Sequence, residues 1–229
     1  PEIREVQEKT CGRAPTMEVV RALAARPLAC EPGTHWRYSL CHDVLGALVE
    51  VLSGQRFGRY LQERIFEPLE MNRTRFPDSP LAREGMMAQY RRDEGSGKVE
   101  RIPSEENELI LGTEYESGGA GLISCVEDYA RFASALANGG VGKNGVRILG
   151  QNTIDLMRTN RLDGRQMRDF DWEWLKGYGY GLGVRTLLDK AVAGSPGFPG
   201  EFGWSGAAGC YVLIDPERHL SMFYAQQMR

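Results

Sequence analysis

Residues 32–46 read Pro32-Gly33-Thr34-His35-Trp36-Arg37-Tyr38-Ser39-Leu40-Cys41-His42-Asp43-Val44-Leu45-Gly46. The first part is turn chemistry: Pro and Gly set the backbone and a hydroxyl residue follows. The second part opens a helix. From His42 to Ser53 the apolar residues Val44, Leu45, Leu48, Val49 and Leu52 fall on one face, and Gly54 suits the left-handed residue that ends a helix. Tyr38 therefore stands at the end of a loop, just ahead of a helix N-terminus.

Upstream, Thr16 is placed to cap a helix whose apolar positions are Met17, Val20, Leu23 and Ala24, and Arg26-Pro27 ends it. Downstream, Phe57, Tyr60, Leu61 and Ile65 repeat the helical period up to Pro68, giving a helical pair. Residues 72–112 read as long loops with a short hairpin about Asp93-Glu94-Gly95-Ser96-Gly97. Ser124-Cys125-Val126-Glu127 has the form of a capping box and opens a helix closed by Asn138-Gly139-Gly140. A further helix is expected over 152–159.

Beyond Gly177 the period becomes two. Glycines at 177, 179, 181 and 183 alternate with Tyr178, Tyr180, Leu182 and Val184, the pattern of a strand approached closely on its bare side. Two more strands, over 209–214 and 220–225, flank Asp215-Pro216-Glu217-Arg218, whose proline favours a type I turn in an antiparallel hairpin. Helices first and strands last, with no βαβ alternation, predict an α+β chain. The division expected is a mainly helical lobe over 1–170 carrying Tyr38, and sheet strands over 171–229.

Composition narrows the function. The 229 residues carry 28 Lys+Arg against 31 Asp+Glu, with 41 % hydrophobic residues, so the chain can bury a sizeable core and has no global field for nucleic acid or an anionic membrane. No apolar run approaches the roughly 18–20 residues of a bilayer span, and the amino end lacks the layout of a signal peptide. Cys11, Cys30, Cys41, Cys125 and Cys210 are odd in number and form no C-x-x-C, so they read as buried thiols in a reducing, cytoplasmic compartment. No metal site and no cofactor are indicated, because His35, His42 and His219 share no ligand spacing. Asp43, at a helix start, reads as a surface or cap residue. Pro1 cannot initiate translation, so these residues are expected to begin inside a longer gene product.

Two motifs mislead. Gly139-Gly140-Val141-Gly142-Lys143-Asn144 suggests a phosphate loop, but Ala137 stands where the first glycine is required and Asn144 replaces the hydroxyl, so a helix end is expected. Gly203-Trp204-Ser205-Gly206-Ala207 nearly matches a nucleophile elbow. An elbow needs a helix after it and its Asp and His downstream, whereas strand-like sequence follows Ser205.

The string 32–46, continued by Ser53-Gly54-Gln55, resembles the serine β-lactamase and penicillin-binding-protein superfamily, in particular the β-lactamase-like family VIII carboxylesterases. Residues 65–71, 117–124, 177–183 and 201–216 resemble the same family in the same order, so the resemblance covers nearly the whole chain. It implies an antiparallel sheet flanked by helices plus a helical lobe. It also implies three motifs: S-x-x-K with the nucleophile, Tyr-x-Asn or a variant, and a strand tripeptide ending in Gly. Tyr38 matches the tyrosine of the second. Leu40 stands where penicillin-recognising members have Asn and is a candidate substrate contact. Trp204-Ser205-Gly206 matches the third, with a tryptophan as in the esterase branch.

By this resemblance Tyr38 is the general base, and Trp204, Ser205, Gly206 and Ala207 line the oxyanion and substrate side, with the Ala207 N–H as one oxyanion donor. A tyrosine of ordinary pKa near 10 acts as a base where adjacent cations stabilise the phenolate, which is the role of the motif lysine. No serine here is followed three residues later by Lys; Ser39 leads to His42, Ser53 to Arg56 and Ser124 to Glu127. The amino-terminal strands and nucleophile helix are accordingly expected upstream of Pro1. The implied activity is hydrolysis of a small ester through an acyl-serine. The alternatives are a β-lactamase or D-stereospecific peptidase, or an inactive binding module of the same fold. The expected partners are a small ester or β-lactam substrate, with the missing amino-terminal fragment or a second copy of the chain completing the fold.

Overall fold

The computed structural model describes residues 2–77, 85–103 and 112–228. Of the loop-rich stretch expected over 72–112, residues 78–84 and 104–111 lie outside the described residues. The helical half comprises α1 (Glu2–Lys9), α2 (Thr16–Ala24), α3 (Cys41–Ser53) and α4 (Phe57–Leu61), the last continuing as one π-helical turn over Gln62–Phe66. The expected hairpin about residues 93–97 is present as β1 (Tyr90–Arg92) and β2 (Val99–Arg101), paired antiparallel. Then follow α5 (Val126–Ala137), α6 (Gln151–Arg158), the short α7 (Gln166–Asp169) and a 3₁₀ turn over Glu173–Leu175.

Five strands form an antiparallel meander in chain order: β3 (Tyr178–Tyr180), β4 (Arg185–Leu187), β5 (Phe202–Ser205), β6 (Tyr211–Asp215) and β7 (Leu220–Tyr224), with the short α8 (Lys190–Ala193) between β4 and β5. The β6–β7 turn is set by Asp215, whose Oδ1 accepts the N–H groups of Glu217 and Arg218. Pairing of Phe202 with Ile214 and of Val212 with Phe223 puts these four on one face. That face closes on Ala133, Leu136 and Ala137 of α5 and Ile154 of α6, the largest apolar cluster. Each large side chain fully buried there contributes roughly 1.5–3 kcal/mol.

The expected α+β arrangement of an antiparallel sheet with flanking helices stands, with local corrections. Residues 177–184 make a hairpin where the glycine alternation predicts a single strand. The chain turns at Gly181–Gly183, where the Gly181 N–H donates to Val184 O, and returns as β4. The close approach does hold: a Cβ on Gly181 would strike the Met157 carbonyl and one on Gly179 the Asn160 amide. Thr16 does not cap α2. Its hydroxyl accepts the Glu116 N–H at 2.9 Å and ties the helix to a distant loop, while Pro15 precedes the first turn. The capping box slips by one residue, so that Cys125 is the N-cap of α5 and Ser124 bonds Thr74 at 2.8 Å.

The apolar stripe of α3 is largely exposed at Val44, Leu45, Leu48 and Leu52. The packed face consists of Asp43, Gly46 and Ala47. Gly46 lets the Phe57 ring lie close against the helix, where a Cβ would come within 3.2 Å of it. The cysteines are free but none is buried; Cys11 and Cys41 are exposed. Among the described residues no helix is long and apolar enough to cross a membrane, and no group of three His, Cys, Asp or Glu side chains could hold a metal ion.

Candidate active site

The loop that carries Tyr38 is held from both ends. A turn with Gly33 at φ +81° is closed by Thr34, whose N–H and hydroxyl both donate to Glu31 O. The Gln166 amide donates to Gly33 O at 2.7 Å, and Asp169 Oδ2 takes the Trp36 N–H and pairs with His35 Nδ1, each at 3.0 Å. Donation by the Trp36 N–H, with His35 and Arg37 nearby, holds the Asp169 carboxyl below its ordinary range, so it stays anionic at neutral pH. The Trp36 ring then packs edge-on against Phe170 at 4.8 Å and against Trp172 and Tyr180 at 5.5 Å each.

With Trp36 wedged inward, Tyr38 is turned outward and is 56 % exposed. Its ring stacks on Trp204 at 5.7 Å and 15° and meets Trp172 edge-on at 5.2 Å. Among the described residues its hydroxyl has no hydrogen-bond partner, which leaves it open to a ligand. Leu40, two residues on, starts α3: its carbonyl accepts the N–H groups of Asp43 and Val44 at 3.1 and 3.3 Å, and its side chain is exposed.

Asp43 corrects the sequence reading. It is buried and accepts the Tyr115 hydroxyl at 2.7 Å. Burial first, and then this carboxylate, push the Tyr115 phenol far above its ordinary pKa, so it serves as a fixed donor. Gly118 lies directly over the His42 carbonyl, where a Cβ would collide, and Gly183 lies against the His42 ring. Ser117 Oγ accepts the N–H groups of Gly119 and Ala120 at 3.2 and 3.1 Å, fixing that loop beside the start of α3.

The third motif ends β5. Trp204 and Ser205 pair with Val212 and Tyr211, and the chain turns immediately. In the turn the Gly206 N–H donates to Cys210 O at 2.7 Å and the Gly209 N–H to Gly206 O at 2.9 Å. The N–H of exposed Ala207 has no acceptor among the described residues, which is the condition an oxyanion donor must meet before substrate arrives.

Tyr38 and Trp204, 166 positions apart in the chain, are thus in ring contact, with Ser205, Gly206 and Ala207 continuing from the same strand end. Sequence reading missed Asp169, Trp172 and Trp174. The signal available was the alternation Asp169-Phe170-Asp171-Trp172-Glu173-Trp174, in which aromatic residues recur at every second position. A cleft of about 380 Å³ lies elsewhere, between α6 and β4. Its Arg158 is committed to Asp155, Glu217 and Gly200 O, so the one cation among the described residues of its lining is held in structural contacts.

The family model for beta-lactamases matches residues 5–227. Protein Rv1367c of Mycobacterium tuberculosis is 31 % identical over 232 residues, covering 99 % of this chain and 57 % of its own length. Esterase EstB of Burkholderia gladioli is 31 % identical over 223 residues, covering 90 % of this chain and 53 % of its own. Among solved structures, EstCE1, described as a hydrolase with promiscuous acyltransferase activity, superposes with a TM-score of 0.78 at 25 % identity, covering 93 % of this chain and 57 % of its own. The chain therefore spans about half the length of the curated relatives it matches. A match over nearly every residue, with the two motifs brought together in space, settles the family: the chain belongs to the beta-lactamase family.

Proposed function

We propose that the chain supplies the tyrosine and strand side of a serine hydrolase that cleaves small neutral esters through an acyl-serine intermediate. Contact between Tyr38 and Trp204 carries this reading, because it joins a loop hydroxyl to the strand end that offers the Ala207 N–H. In the reaction Tyr38 takes the proton of the attacking serine and the Ala207 N–H meets the oxyanion of the tetrahedral intermediate. No cofactor is required for these steps.

The serine and its lysine partner belong to sequence outside residues 1–229, since no S-x-x-K occurs within them. The exposed stripe of α3 and the exposed Leu220, Met222 and Tyr224 of β7 are the surfaces such sequence would cover. Residues 1–170 form the lobe that carries the tyrosine and 171–229 the strands, with α5 and α6 bridging them. The five unpaired cysteines support a reducing, cytoplasmic compartment.

Trp204 favours an ester over a penicillin. An indole offers one N–H and an apolar face, with no positive charge for a substrate carboxylate. Leu40 likewise presents no amide. The gene product containing residues 1–229 is expected to show a higher kcat/KM for p-nitrophenyl butyrate than for a chromogenic cephalosporin. The reverse preference would replace the esterase reading by the β-lactamase one.

A further inference from the structure

All four tryptophans of the chain, Trp36, Trp172, Trp174 and Trp204, gather around Tyr38. Tyr38, Trp172, Trp174 and Trp204 form a closed circuit of ring contacts: 5.2 Å from Tyr38 to Trp172, 5.7 Å to Trp174, 5.5 Å to Trp204 and 5.7 Å back to Tyr38. Trp174 is 47 % exposed and, with Tyr38, forms the open side. The strap that presents these rings is anchored by Phe170 and Leu175, both buried, so its folding does not require tryptophan at 174. A single exposed aromatic residue carries no message, but several in mutual contact beside a site hydroxyl form a recognition surface.

Its chemistry is specific. Arginine and lysine stack on Tyr60, Tyr178, Tyr211 and Phe198, and among the described residues none stacks on the four rings of the circuit. The rings cover one another in part, and the surface left for a ligand is the exposed part of Trp174 and Tyr38. Asp171 and Glu173 alternate with Trp172 and Trp174; Lys176 pairs with Glu173 at 2.6 Å, so Asp171 is the carboxylate on the strap that disfavours an anionic ligand. A neutral flat ring fits both conditions, since offset or edge-on aromatic contacts add to the area they bury.

We propose that Trp174, Trp172 and Trp204 form an aryl-binding shelf that selects esters bearing a neutral aromatic group. This rests on the serine-hydrolase reading for its placement beside the reacting carbonyl, but not for binding itself. Two measurements on the gene product containing residues 1–229 separate the two ideas. In the first, kcat/KM is compared for ethyl butanoate, ethyl 3-phenylpropanoate and benzyl butanoate. At least one aryl ester should exceed ethyl butanoate roughly tenfold, Trp174→Ala should reduce that ratio to below about threefold, and Trp174→Phe should keep most of it. Equal rates for all three esters in the wild-type protein, or a ratio untouched by Trp174→Ala, would overturn the shelf. In the second, calorimetry compares 3-phenylpropanamide with butanamide, which need no turnover. Tighter binding of the aryl amide by about tenfold supports the shelf even where no ester is cleaved, an outcome that would count against the hydrolase reading alone. Equal binding of the two amides overturns it.

Discussion

Tyr38→Phe is expected to lower kcat/KM for p-nitrophenyl butyrate about 10²–10⁴-fold, the usual worth of a general base. The substitution removes one oxygen and keeps the ring, so the contacts with Trp204, Trp172 and Trp36 survive. Because the hydroxyl has no hydrogen-bond partner among the described residues, its loss leaves no buried group unsatisfied. The unfolding midpoint should therefore stay close to wild type while turnover collapses. Near-wild-type turnover in this variant would take Tyr38 out of the mechanism. Lost turnover together with a large drop in midpoint would make its role structural.

Arg185→Ala carries the largest expected cost in stability, about 3–5 kcal/mol against the 5–15 kcal/mol typical of a whole domain. The guanidinium is 2 % exposed on β4, lies 4.4 Å from the Tyr211 ring and 5.4 Å from the Tyr178 ring, and donates to Val212 O. It also offsets the charge of buried Glu201, whose carboxyl is pushed above its ordinary pKa by burial. Removing Arg185 empties space at the centre of the sheet and takes away a positive charge that favours that carboxylate. A carboxyl with a raised folded pKa supports the fold fully below its unfolded pKa and loses that support as pH rises through the folded value. The deficit of the variant should accordingly widen from below about pH 4 toward pH 8. Urea unfolding at both ends of this range measures it, and a loss under about 1 kcal/mol at pH 8 would mean the cation is dispensable.

What the sequence revealed and what it hid divide along chain separation. The 32–46 string was readable because turn and helix-start chemistry is local, and the end of α3 was readable from Gly54, which adopts φ +68°. The β6–β7 hairpin was readable from the turn chemistry of Asp215 and Pro216. Periodicity reports which face of a helix is apolar but not what lies against it, so the exposure of Val44, Leu45 and Leu48 did not follow from it. Alternating glycines looked like one strand because a tight turn at Gly181–Gly183 keeps the same spacing. Strand β5, only four residues long with a glycine inside, carried no periodic signal and came through the motif resemblance alone.

The structural roles of Asp43 and Asp169 were hidden for a different reason. Tyr115 lies 72 positions from Asp43, and His35 lies 134 positions from Asp169. An acidic residue among aromatics reads as part of a solvated loop until its distant donor is known. The same obscured Trp172 and Trp174, whose place beside Tyr38 depends on the latch between Asp169 and the Trp36 N–H.

The acyl-serine account is tested most directly by treating the gene product containing residues 1–229 with a fluorophosphonate probe and locating the adduct by peptide mass spectrometry. The account predicts a single modified serine, outside residues 1–229 and followed three residues later by lysine. An adduct on a serine within residues 1–229, or none on a folded protein that still cleaves esters, would contradict it.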